Sequence, residues 1–164
     1  MTLETHLQSA CCDLVAEIAR SHGKVQLKVT GASMLPVICP GDLITVQRCD
    51  PRELLPGEVI LFQRNGGLAA HRIVEVSEKV IVTRGDALPS NDAPIPHGEV
   101  VGRIEFARRN GRPVCLHPSP WQQIVGEMLR RSERCTRVFL RLNSGIRRFR
   151  TGDSVFGTAN PIRF

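Results

Sequence analysis

The stretch VTGASMLPVICPGD, residues 29–42, decides how this chain is read. Strand-like runs flank it, KVQLKVT over 24–30 and DLITVQR over 42–48. Between them stand Gly31, Ser33, Met34, Pro36, Pro40, Gly41 and Asp42. A plain turn needs only one or two such residues. A serine beside a small residue, with prolines restricting the chain after it, is one way to present a nucleophile. It is also how an ordinary irregular loop is built, so the rest of the chain has to discriminate.

Working outward, more short strand-like runs follow: EVILFQR (58–64), AAHRIVEV (69–76), KVIVTR (79–84) and EVVGRIEFA (99–107), with PVCLH (113–117) as one more. Breakers separate them: Pro51, LPG (55–57), NGG (65–67) and the proline-rich DALPSNDAPIPHG (86–98). Many short strands at such intervals predict a mainly β fold, a small coiled antiparallel sheet or barrel-like arrangement. Two helices bracket it. Over Leu3–Ser21, Leu7, Cys11, Leu14, Val15 and Ile18 recur at helical spacing, and this stripe is expected to pack across an open face of the sheet. Over 119–141, Ser119 and Pro120 suit a helix start, and Trp121, Ile124, Val125, Met128 and Leu129 form an apolar stripe continued by Val138 and Leu142. The expected organisation is a unit over 1–118, with its core in 24–107, followed by a basic helix and tail over 119–164.

Composition narrows the function. The 164 residues carry a formal net charge of +6, with 41% hydrophobic and 23% charged residues, which is ordinary globular usage. Aromatic residues make up 4% and tyrosine is absent, which disfavours a surface that stacks nucleic-acid bases. The six cysteines show no C-x-x-C pairing, and no secretory signal is visible, so reduced thiols in a cytoplasmic setting are expected. No run approaches the roughly 18 to 20 apolar residues of a membrane span. Charge is uneven: residues 1–102 hold roughly 9 basic and 12 acidic side chains, and residues 103–164 roughly 13 and 4. Arg130, Arg131, Arg134, Arg137 and Arg141 make the C-terminal helix the candidate contact for an acidic partner or a membrane surface, to which the protein would be peripheral.

Three stretches bear chemistry. Ser33 lies in the opening stretch, His71 at the head of AAHRIVEV, and Asp86 and Asp92 in TRGDALPSND. A serine needs a base to attack at neutral pH, a histidine can be that base, and a buried carboxylate can orient the imidazole. Singly, each has a plainer reading as a turn residue or a satisfied strand-end polar group.

Together these stretches resemble the serine peptidase superfamily that contains signal peptidase I and the LexA-type self-cleaving repressors. The resemblance runs through GASMLPVICPGDLITVQ (31–47), LLPGEVILF (54–62), AAHRIVEV (69–76), VTRGDALPSND (82–92) and PIPHGEVVGRI (94–104). It includes the full serine box of that superfamily, G-x-S-M-x-P followed by G-D. HRIVEV stands where the common bacterial signal peptidases and LexA carry a lysine base, which is similar to the histidine-base branch found in the endoplasmic reticulum, archaea and sporulation. The resemblance implies Ser33 as nucleophile, His71 as general base, and Asp92 as the acidic partner, with Asp86 as second candidate. It implies the Ser33 N–H as oxyanion donor, with Gly31 and Met34 beside the substrate. Gly31 stands where some members carry an assisting hydroxyl. It further implies an extended peptide or precursor substrate bound by strand addition, and no cofactor or metal. Signal peptidases are membrane-held, and this chain shows no span, so a soluble endopeptidase acting on a leader or precursor segment is expected. A LexA-like self-cleaving regulator and a non-catalytic binding module on the same fold are the competing readings. With about thirty residues ahead of Ser33, the regulator reading lacks room for a typical helix-turn-helix domain.

Overall fold

The computed structural model describes residues 3–131. Helix α1 (Leu3–His22) leads into β1 (Lys24–Lys28), β2 (Leu43–Gln47), β3 (Val59–Arg64), β4 (Gly67–Val76), β5 (Val80–Arg84), β6 (Ile95–Pro96), β7 (Val100–Arg109) and β8 (Arg112–Val114), and helix α2 (Pro120–Arg131) follows. Short 3-10 turns occupy Pro51–Glu53 and His97–Glu99. All eight strands join one antiparallel sheet in the order β1-β2-β7-β3-β4-β5-β6, with β8 also on β7. The sheet is not closed, since β1 and β6 remain its two ends. The expected mainly β, antiparallel fold is therefore what forms, as a coiled open sheet.

The coil has local causes. The register shifts at Thr45/Val46 against β7, at Leu61/Phe62 against β7, and at Ile73/Glu75 against β5. Each irregularity bends its strand and raises the local twist. The sheet thus wraps around its central strand, β3, which buries Val59, Ile60, Leu61 and Phe62 in succession. Val59 and Leu61 enter a core with Leu27, Ile44, Val46 and Ile104, whereas Ile60 and Phe62 enter a second one with Ile73, Ile81 and Ile95. A continuous apolar run is what a strand covered on both faces requires.

Hairpins account for several boundaries. Asn65 and Gly66, both at positive φ, make the turn between β3 and β4. Asn110 and Gly111 do the same between β7 and β8. Two left-handed residues in a two-residue turn match the strand twist, which favours Asn-Gly. The tight turn lets β4 begin at Gly67, so His71 lies inside the strand and not at its head. Within the proline-rich segment, Ile95 pairs with Ile81 as the short strand β6, which the sequence reading treated as a break.

Both helices follow their expected stripes only in part, and the side chains of Leu7, Cys11 and Leu129 lie outside the described ones. α1 does pack on the sheet, but it buries Cys12, Val15, Ala16 and Ala19, while Leu14 is 53% exposed. Ala16 and Ala19 lie in the main core beside Val15, and Leu14 faces outward. α2 places Val125 against Leu35, Cys39 and Ala87, while Trp121, Ile124 and Met128 remain exposed. Arg134, Arg137, Arg141, Val138 and Leu142 lie outside the described residues, as does the tail. No helix among the described residues is long and apolar enough to cross a membrane.

One ion pair ties the loop of residues 29–42 to the sheet. The Asp42 side chain is fully buried. It accepts from the Cys39 N–H at 2.8 Å and from the Arg109 guanidinium at 2.8 and 3.0 Å. Arg109 also donates to the Val37 carbonyl at 3.0 Å, and the Asp42 contact raises the Arg109 pKa. Removing one member of a buried pair leaves the other uncompensated, and Arg109 is partly solvated, so the cost falls near the low end of such cases. Arg109→Met is expected to lower unfolding free energy by about 2–4 kcal/mol, read from urea denaturation. Arg109→Lys is expected to recover little, because the fork geometry is lost.

Candidate functional site

Three chain segments converge on one point. The first is the loop from Val29 to Asp42, closed at its neck by hydrogen bonds from the Val29 N–H to the Asp42 carbonyl (2.9 Å) and from the Gly41 N–H to the Val29 carbonyl (2.5 Å). Leu35, Val37, Ile38 and Cys39 are buried, so the loop is packed and its backbone positions are held. Ser33 is partly exposed on it. The second segment is β4, where His71 sits opposite Ile60 with its ring edge-on to Phe62, 5.7 Å between centroids. The third is β5 with the chain that follows it. There the Asp92 N–H donates to the Thr83 carbonyl at 2.8 Å, which folds the segment back on the end of β5.

The side chains form a continuous hydrogen-bonded row. Ser33 Oγ lies 3.0 Å from His71 Nε2, and His71 Nδ1 lies 2.6 Å from Asp92 Oδ2. A carboxylate only accepts, so Nδ1 carries the proton toward Asp92, and Nε2 is left to accept from the Ser33 hydroxyl. Asp92 Oδ2 also accepts from the Thr83 hydroxyl at 2.6 Å. His71 and Thr83 are buried.

Asp86 is engaged elsewhere. Both of its carboxylate oxygens accept from Arg72, at 2.8 Å from Nε and 2.7 Å from Nη2. Arg72 further donates to the carbonyls of Gly57 (2.8 Å) and Leu116 (2.9 Å). The guanidinium thus joins β4, the turn before β3, the segment after β8 and the turn after β5. Of the two aspartates considered from the sequence, Asp92 is the one brought to His71.

Thr83 escaped the sequence reading, although a signal for it existed. In β5 the inward positions are Ile81 and Thr83, so a hydroxyl falls where alternation calls for an apolar group. A buried hydroxyl needs a partner, and that mismatch points to a polar network.

Beside Ser33 lies a pocket of about 170 Å³, lined by Leu27, Val29, Met34, Ile38, Leu68 and Ala70 among others. Met34 is 3% exposed and belongs to the main core, so it is at once pocket wall and anchor. Gly31 lines the same pocket, and a Cβ there would meet no protein atom within 4 Å. The pocket is bordered by two strand edges. β1 ends the sheet, and β5 pairs with β4 only from Arg72 onward. Among the described residues, nothing accepts from the Ser33 N–H. No group of three or more His, Cys, Asp or Glu side chains among the described residues is arranged to hold a metal ion.

A protein-family model described as Peptidase S24-like matches residues 3–101, a span that contains Ser33, His71, Asp86 and Asp92. No curated protein matches the chain.

The turn after β5 also grips the serine backbone. The Ala87 N–H donates to the Ser33 carbonyl at 2.8 Å. A Cβ on Gly85 would fall 2.7 Å from that carbonyl oxygen and 2.9 Å from the Leu88 side chain. Gly85→Ala must therefore displace the Ser33 backbone or the turn itself. The expected result is a loss of about 1–3 kcal/mol in thermal or urea unfolding, as for other overpacked sites.

Proposed function

The chain belongs to the Peptidase S24-like family, and from that premise we propose that it is a serine endopeptidase of the histidine-base type. The observation that carries this reading is the row Ser33 Oγ, His71 Nε2 and Nδ1, Asp92 Oδ2, linked at 3.0 and 2.6 Å. In the proposed reaction, His71 takes the Ser33 proton through Nε2 as the hydroxyl oxygen attacks a peptide carbonyl. Asp92 holds the imidazole in the required tautomer and stabilises the cation that forms. The Thr83 hydroxyl, on the same carboxylate oxygen, keeps Asp92 aimed. The Ser33 N–H is the donor for the developing oxyanion. His71 then gives its proton to the leaving amine, and water, deprotonated in turn by His71, attacks the acyl-serine ester and restores Ser33.

The substrate is an extended stretch of polypeptide. Its main chain pairs with the open edges beside the pocket, and one side chain enters the small apolar space lined by Met34, Leu68 and Ala70. The lining of Leu27, Val29, Met34, Ile38, Leu68 and Ala70 favours an apolar side chain there. Gly31 keeps that approach clear for the bound chain, since its own Cβ would touch nothing else of the protein.

The test is a proteome-derived peptide library digested with the purified protein, with new termini read by mass spectrometry. Cleavage is expected with the unaltered protein and absent with Ser33→Ala and His71→Ala, both remaining folded. Full cleavage by either variant would overturn the assignment. Asp92→Asn is expected to lower kcat by about 10²- to 10⁴-fold, as for other orienting carboxylates. Asp86→Asn is expected to act mainly on stability, through Arg72. The same family match also favours a self-cleaving regulator as second reading. Ser33-dependent fragments of the protein incubated alone, with no cleavage of added peptides, would select it.

A further inference from the structure

The α2 helix is capped at its start and, among the described residues, exposed along one side. The Ser119 N–H donates to Gln122 Oε1 at 2.8 Å, and the Gln122 N–H donates to Ser119 Oγ at 3.3 Å, a reciprocal cap ahead of Pro120. Val125 secures the helix to Leu35, Cys39 and Ala87. The other side shows Trp121, Ile124 and Met128, at 70, 55 and 58% exposure. Their spacing of three and four residues stacks them in a single stripe. Isolated exposed apolar residues are ordinary, but a tryptophan and two long aliphatic side chains in one row mark a docking surface.

The charge of the sequence at and after the end of α2 indicates what covers this stripe. The helix ends on Arg130 and Arg131, and Arg134, Arg137 and Arg141 follow in the sequence. Nucleic acid would satisfy the arginines but leave Ile124 and Met128 in water. A second copy would cover the apolar stripe but bring two arginine-rich stretches together. An anionic lipid surface takes both, with the apolar row among the acyl chains, the indole at the headgroup level and the arginines on the phosphates. We propose that α2 is an interfacial helix that seats the protein on an anionic lipid bilayer.

The seat lies next to the candidate site. Leu35 and Ala87, which Val125 contacts, flank Ser33 in sequence and through the Ala87 N–H bond. A docked α2 therefore holds Ser33 within about one or two helix diameters, ~10–20 Å, of the lipid surface. Lipid binding itself does not depend on whether Ser33 is a nucleophile.

Trp121 is the chain's single tryptophan, so its emission reports this stripe directly. The experiment titrates the full chain with phosphatidylcholine vesicles, with and without phosphatidylglycerol, following emission and co-sedimentation. A blue shift and sedimentation with the phosphatidylglycerol vesicles alone, weakened by added salt, are expected. The double variant Ile124→Gln/Met128→Gln is expected to lower the partition coefficient about tenfold or more, with an unchanged circular dichroism spectrum because both residues are exposed. Four outcomes would each overturn the proposal. One is the absence of a shift with anionic vesicles, and another is unchanged partitioning of the double variant. A third is an emission already blue without lipid, which means that a second copy or the chain's own continuation covers the stripe. The fourth is an equal shift with an oligonucleotide of matching charge.

Discussion

The arrangement depends on one buried carboxylate. Asp42 has no solvent exposure and stands where the long loop rejoins the sheet. A charge in that position persists only if fully paired. The Cys39 N–H and the Arg109 fork supply the pairing, and they come from opposite ends of the problem. Cys39 belongs to the loop itself, whereas Arg109 ends the long strand β7. The bond therefore fixes the loop against the sheet and not merely against itself. Arg109 adds the Val37 carbonyl, and the apolar side chains of Leu35, Val37 and Ile38 fill the space beneath. A loop so anchored can hold Ser33 at a constant height over β4.

Pinning the serine is half of the geometry, and the turn after β5 provides the other half. It touches Ser33 through the Ala87 N–H and passes close enough at Gly85 to exclude any side chain. Five residues after Ala87 the same segment delivers Asp92 to His71. Arg72 steadies this turn from the neighbouring position on β4, with Asp86 as its counter-ion. Adjacent residues on β4 thus point to opposite faces and serve the two aspartates separately, His71 toward Asp92 and Arg72 toward Asp86. The division follows from strand alternation and from the turn between the two aspartates.

Much of this was legible in advance. The order of short strands and breakers carried the sheet, because alternation and turn residues are local signals. Ser33, His71 and the two aspartates stood out as residue types with a known chemical use in a combined pattern. The helix stripes held only in part, for a physical reason: periodicity marks which side chains are apolar, not which side meets a neighbour. In α1 the buried side holds Ala16 and Ala19 while Leu14 faces outward, and in α2, among the described side chains, Val125 reaches a core cluster while Trp121, Ile124 and Met128 face outward. The strand β6 was hidden because two residues among prolines form no pattern of their own, and only the pairing of Ile95 with Ile81 makes them a strand.

By itself the sequence determined the strand-and-turn grammar and the mainly β class, because each depends on near neighbours along the chain, and it offered Ser33, His71, Asp86 and Asp92 as candidates. Tertiary structure brought Asp92 to His71 and Asp86 to Arg72, placed the Thr83 hydroxyl on Asp92, and bound Asp42 to a partner 67 positions away. These choices rest on strand register and bulges, where a shift of one residue turns a side chain to the other face. Register is set by pairing across the whole sheet, so no short stretch, not even the one from Val29 to Asp42, contains it.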